Sequence, residues 1–94
     1  MLLSPELLGQ NQGIQIKGLI VDKQGEPIPF VNIGILNRGL GTVSDDSGYF
    51  ELKVSVPFDS VAFSSIGYQV KTLSASAVKE NEVIELKPRQ YVLQ

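Results

Sequence analysis

The chain has 94 residues, one domain's worth, with a formal net charge of −2 and with 43% hydrophobic and 19% charged residues. That balance excludes a disordered segment, and lysines and arginines scattered singly among the acids leave no basic stripe for a phosphate backbone. With no cysteine and no histidine, neither a disulfide nor a Cys/His zinc site is available, and no apolar run approaches the roughly 20 residues that span a bilayer as a helix.

Residues 1–13 read as a linker or processed segment. Leu2, Leu3, Leu7 and Leu8 are apolar, but Pro5 and Glu6 interrupt them, and Gly9-Gln10-Asn11-Gln12-Gly13 is linker-like. From Ile14 the period becomes two. Ile14, Ile16, Gly18 and Ile20 alternate with Gln15, Lys17, Leu19 and Val21, which predicts a strand. A turn follows, with Gly25 suited to positive φ. Pro27 and Pro29 fix φ on an extended entry to the next strand.

Residues 30–37 predict a second strand with Val31, Ile33 and Ile35 on one face, ended by the reversal Asn37-Arg38-Gly39-Leu40-Gly41. Thr42-Val43-Ser44 reads as a short strand. Asp45-Asp46-Ser47-Gly48 is a turn, because an Asp side chain closes an Asx-turn and Gly supplies the left-handed residue. Residues 49–56 alternate most regularly. Phe50, Leu52, Val54 and Val56 face one way, and Tyr49, Glu51, Lys53 and Ser55 the other, as in an antiparallel strand with one wet face.

Pro57-Phe58-Asp59 breaks that run. Val61, Phe63 and Ser65 then alternate with Ala62, Ser64 and Ile66, and Gly67 marks a bend or bulge. Residues 68–73 predict another strand, 74–80 a loop or one helical turn, and 82–86 a last strand stopped by Pro88. Residues 89–94 read as a tail leading onward. About seven short strands with turn signals every 8–12 residues, and no helical stretch long enough to cover a sheet, predict two sheets packed face to face. The expected fold is all-β, a Greek-key β-sandwich over residues 14–88. The four phenylalanines, Phe30, Phe50, Phe58 and Phe63, are expected in the core or at its rim.

The order of these features resembles the carboxypeptidase-regulatory-like domain, a prealbumin-like (transthyretin-like) sandwich. Four pieces carry the likeness. They are Gly18-Leu19-Ile20-Val21-Asp22 with Gly25-Glu26-Pro27-Ile28-Pro29-Phe30-Val31-Asn32-Ile33; Gly41-Thr42-Val43-Ser44-Asp45-Asp46-Ser47-Gly48-Tyr49-Phe50-Glu51-Leu52; Val61-Ala62-Phe63-Ser64-Ser65-Ile66-Gly67-Tyr68; and Ile84-Glu85-Leu86-Lys87-Pro88. The resemblance implies an accessory domain at the N-terminus of a TonB-dependent outer-membrane receptor or another envelope protein of a Gram-negative bacterium. It places the domain in the periplasm or cell envelope, ahead of a plug and barrel, and it implies no catalytic residue and no cofactor.

Asp45, Asp46 and Ser47 offer hard oxygens, but calcium takes about six to eight oxygens in a set geometry. Glu51 is the nearest further donor and is expected to point outward, so a capped hairpin turn is the simpler reading, with calcium left open. Gly25, Gly39, Gly41 and Gly48 lack the Gly-Lys-Ser/Thr of a phosphate loop. Ser64 and Ser65 have no histidine to act as base, and Lys71 or Lys79 would have to be buried to replace one. Tyr49, Tyr68 and Tyr91 could stack on sugar rings, with residues 39–47 as binding loops. The expectation is therefore a non-enzymatic module that docks on a protein partner or on the rest of its own chain, with a sheet edge as the candidate contact. Carbohydrate or small-ligand binding through end loops is the alternative. No catalytic, cofactor-binding or metal residue is assigned.

Overall fold

A computed structural model describes residues 13–90. The apolar leucines of the first eight residues and Tyr91 lie outside that range. Among the described residues the elements are β1 (Ile14–Val21), β2 (Asn32–Ile35), β3 (Leu40–Val43), β4 (Tyr49–Val54), β5 (Ser60–Ser64), β6 (Lys71–Ser74), α1 (Ala75–Glu80) and β7 (Val83–Glu85). They form two sheets, one ordered β4-β1-β7 and the other β3-β2-β5-β6. The expected sandwich is what folds. The hairpins β2–β3 and β5–β6 lie within the second sheet, and the remaining connections cross between sheets, which is Greek-key connectivity.

Period two sorts the side chains. Ile16 and Ile20 of β1, Ile33 and Ile35 of β2, Phe50 and Val54 of β4, and Val61 and Phe63 of β5 are all buried in one cluster. Their neighbours along each strand face outward, as the pleat requires. On the outer face of the second sheet the residues are small: Gly34 pairs with Gly41 and Ala62, and Ala62 with Thr72. Gly41 is required by close approach, since a Cβ there would stand 2.6 Å from the carbonyl oxygen of Ile33. That glycine lies inside β3, which starts two residues earlier than expected, at Leu40.

The first sheet is not wholly antiparallel. β1 pairs antiparallel with β4 from Ile14–Val54 to Leu19–Tyr49, and parallel with β7 from Leu19–Val83 to Val21–Glu85. A parallel neighbour cannot follow by a hairpin; the chain reaches β7 from β6 of the other sheet, and α1 makes that last link. Ser74 caps it, its side-chain oxygen accepting from the backbone N–H of Ala77. The six-residue helix turns Val78 into the core, where it is 1% exposed. Of residues 74–80, Ser74 ends β6 and caps the helix, 75–80 are helical, and Val78 is the one that enters the core.

Two expectations about burial fail. β4 ends at Val54, so Val56 lies beyond the paired run and is exposed. Phe58 is a rim residue packed against the core, but Phe30 is 63% exposed. It precedes β2 with φ at 58°, a region that costs a residue with a Cβ roughly 1–2 kcal/mol, and this local twist turns its ring outward. Ser44 is a buried polar residue that the sequence did not single out. It follows β3 and is 1% exposed, its hydroxyl oxygen accepting from Val31 N–H at 2.8 Å and donating to the Ile28 carbonyl at 3.2 Å.

Candidate functional site

The residues singled out for chemistry begin with the turn between β3 and β4. Asp45 closes it with one carboxylate oxygen, Oδ1, which accepts from the backbone N–H of Ser47 and of Tyr49, each at 2.9 Å. Gly48 N–H donates to the Asp45 carbonyl at 3.0 Å, and Asp45 N–H to the Tyr49 carbonyl at 2.8 Å. Gly48 takes φ 83°, and a Cβ on it would sit 2.9 Å from the Ile20 carbonyl oxygen. The same Asx arrangement recurs in the turn after β1, where Asp22 Oδ1 accepts from Gln24 and Glu26 N–H. In both turns a side-chain oxygen substitutes for a backbone partner that the tight reversal leaves out.

Glu51 points outward as expected and accepts from the Gln15 side-chain amide at 3.0 Å across the β1–β4 pair. Among the described residues, no group of three or more acidic, histidine or cysteine side chains converges where it could hold a metal ion.

Ser64 sits in the β2–β5 ladder opposite Asn32, and the carbonyl of Ser65 accepts from Tyr68 N–H in the turn at Gly67. Lys71 is directed to the other sheet, its ammonium donating to the Glu85 carbonyl at 3.2 Å. Lys79 is exposed on α1. The structure does not bring these serines and lysines together into a nucleophile–base pair.

Residues 39–47 do not form one binding loop. β3 occupies Leu40–Val43, so Gly39 lies at one end of a strand about 13 Å long and Asp45 at the other. Tyr49 and Tyr68 are apart too. Tyr49 is exposed on the outer face of the first sheet, whereas Tyr68 is half-buried against the core and bridged to Pro88.

What Tyr49 does join is a groove that alternation along single strands does not reveal. Leu19 is paired with Tyr49 on one side and Val83 on the other, so three apolar side chains cross the outer face of the three-stranded sheet in a row. Alongside Leu19 and Tyr49, but not Val83, an open groove of about 800 Å³ is lined by Gln15, Lys17, Glu51, Val43, Asp45, Lys79 and Glu82, and also by the core residues Ile16, Phe50 and Val78. Its volume falls in the range of small-ligand sites, and it mixes an aromatic face with both signs of charge. The alternation Gln15-Lys17-Leu19 against Tyr49-Glu51 marked this face as wet. Only the register, which sets Leu19 opposite Tyr49, made it a single surface.

Comparison with known proteins bears on the whole sandwich. The sequence profile of the CarboxypepD_reg-like domain matches residues 16–94. The TonB-dependent receptor SusC of Bacteroides thetaiotaomicron is 35% identical over 66 residues, which is 70% of this chain and 6% of the receptor. The chain thus corresponds to a small fraction of that relative's length.

Proposed function

We propose, since the chain belongs to the CarboxypepD_reg-like domain family, that it serves as a non-catalytic accessory domain of a larger TonB-dependent receptor in the cell envelope. The observation that carries this reading is the 35% identity to a receptor of which the matched stretch is only 6%. The chemistry is in keeping with it. The chain has no histidine, and its two serine–glycine and aspartate–glycine turns are occupied with their own backbone hydrogen bonds. A rigid sandwich with short edge strands suits a module that presents surfaces to the rest of its polypeptide or to a protein partner.

The test is to follow the gene product that contains this chain. The reading expects a polypeptide that continues into alternating, barrel-like strands and fractionates with the outer membrane. A product found in the soluble cytoplasmic fraction, or one continuing into a soluble enzyme, overturns it.

A second reading, binding of a carbohydrate or other small ligand, is favoured by one feature, the groove beneath Tyr49. A glycan array combined with NMR titration decides it. Shifts confined to Leu19, Tyr49 and Glu51 support it, and an array without binders removes it.

A further inference from the structure

The first and last strands of the described fold are neighbours, and they run the same way. β1 pairs in parallel with β7, from Leu19–Val83 to Val21–Glu85. Ile14 starts β1 beside Val54, whereas Glu85 ends β7 level with Val21, so the backbone enters at one end of the sandwich and leaves at the other. β1 has eight residues, which sets those two levels roughly 23 Å apart.

Both strands are fastened along this line. β1 is paired with β4 from Ile14 to Leu19, and its Ile16 and Ile20 are in the core. β7 is bonded to β1 at its two ends, Leu19 N–H donating to the Glu82 carbonyl and Leu86 N–H to the Val21 carbonyl, each at 2.9 Å. Past β7 the backbone is held by the segment that leads into β6. Gln69 N–H donates to the Lys87 carbonyl and Arg89 N–H to the Gly67 carbonyl, each at 2.8 Å, and the Lys71 ammonium donates to the Glu85 carbonyl. Ile84 and Leu86 are buried. A slip of β7 by one residue would turn Ile84 to the wet face and bring Glu85 inward.

This layout decides how a pull on the two ends is resisted. Force reaching Ile14 and Arg89 acts along the strands in opposite directions. The bonds between strands run across it, perpendicular in the antiparallel ladder and slanted in the parallel one, so they are loaded together. Two strands drawn apart from the same end instead open one pair at a time. We propose that this domain carries tension. Load entering at β1 passes directly to its neighbour β7 in shear, and the sandwich stays folded under pulls that would peel the same strands apart. This function goes beyond the accessory-domain reading and does not depend on it, since it holds for any polypeptide in which the fold stands between two held segments.

Single-molecule pulling on the 94-residue chain tests it. The chain has no cysteine, so handles attach only where one is introduced, and rupture under force reports the unfolding rate and not the equilibrium stability. In the first geometry the handles sit on the two termini. In the second they sit on the N-terminus and on Ser55→Cys, which draws Ile14 and Val54 apart from one end. In the third they sit on the C-terminus and on Asp46→Cys, in the turn at the end where β7 leaves. Ser55 and Asp46 are both exposed, so the urea midpoint should stay that of the natural chain; either peeling geometry suffices if the other variant fails to fold. The expected result is a higher rupture force in the first geometry than in the other two at the same pulling speed. A terminal rupture force equal to or below a peeling one overturns the proposal, as does release of β7 in a separate step before the rest of the sandwich opens.

Discussion

The rings of Phe50 and Phe63 meet edge to face, their centroids 5.6 Å apart and their planes inclined by 71°. Phe50 comes from β4 in the first sheet and Phe63 from β5 in the second, so this pair is a direct contact between the two layers. Removing either ring opens a cavity at the centre of the sandwich. Phe63→Ala is expected to cost about 3–5 kcal/mol, with Phe50→Ala similar. The double variant should lose less than the sum by about 0.5–1.5 kcal/mol, the part that belongs to the ring pair. Urea unfolding of the two single variants and the double variant measures all three.

Ser44 offers a second prediction, of a different kind. Its hydroxyl serves the N–H of Val31 and the carbonyl of Ile28 in a place closed to water. Ser44→Ala keeps the packing nearly intact but strands both backbone groups. The expected loss is about 1–3 kcal/mol. Ser44→Val, of larger volume, should do no better. A loss under the uncertainty of the measurement would mean that water reaches these groups.

The Asp45 carboxylate bonds two backbone N–H groups of its turn, and Asp46 bonds none among the described contacts. Asp45→Ala should therefore destabilise by about 1 kcal/mol, as loss of a comparable side-chain cap does, while Asp46→Ala should be close to neutral. Calcium separates this account from a metal site. A bound ion stabilises the native state by mass action, so a melting temperature unmoved by millimolar calcium, with or without Asp46, is the expected result. A rise that Asp46→Ala abolishes would instead assign the turn to the ion.

Gly48→Ala tests the same turn through the backbone. The substitution places a Cβ at φ 83° and within 2.9 Å of the Ile20 carbonyl oxygen. The conformational penalty alone is about 1–2 kcal/mol, and the contact adds to it because Ile20 O already accepts from Ile28 N–H. By contrast Gly25→Ala meets no neighbouring atom at φ 86° and should lose only the conformational part. Thermal melts of the two variants side by side separate strain from collision.

What could be read from the chain before folding was local, and it was read from alternation and from turn chemistry. Ile33 and Ile35, Phe50 and Val54, and Val61 and Phe63 alternate with small or polar residues, and each pair is buried. A pleated strand leaves its side chains only two faces to choose between. Asp45 and Gly48 announced their turn because an Asx bond and a left-handed residue are properties of four neighbouring residues. The fate of other residues depended on partners far along the chain. Phe30 and Val56 carry the same apolar character as Phe50 and Val54, yet they fall past the ends of paired strands and stay in water. Val78 enters the core only because a six-residue helix, too short to hold by itself, is laid between β6 and the parallel strand β7. The groove at Tyr49 depends on the register of β1 against β4, which sets Leu19 opposite Tyr49 and Lys17 opposite Glu51. Period and turn type are written in adjacent residues. Register, strand ends and the meeting of sheets are settled by long-range packing, and only the folded chain decides them.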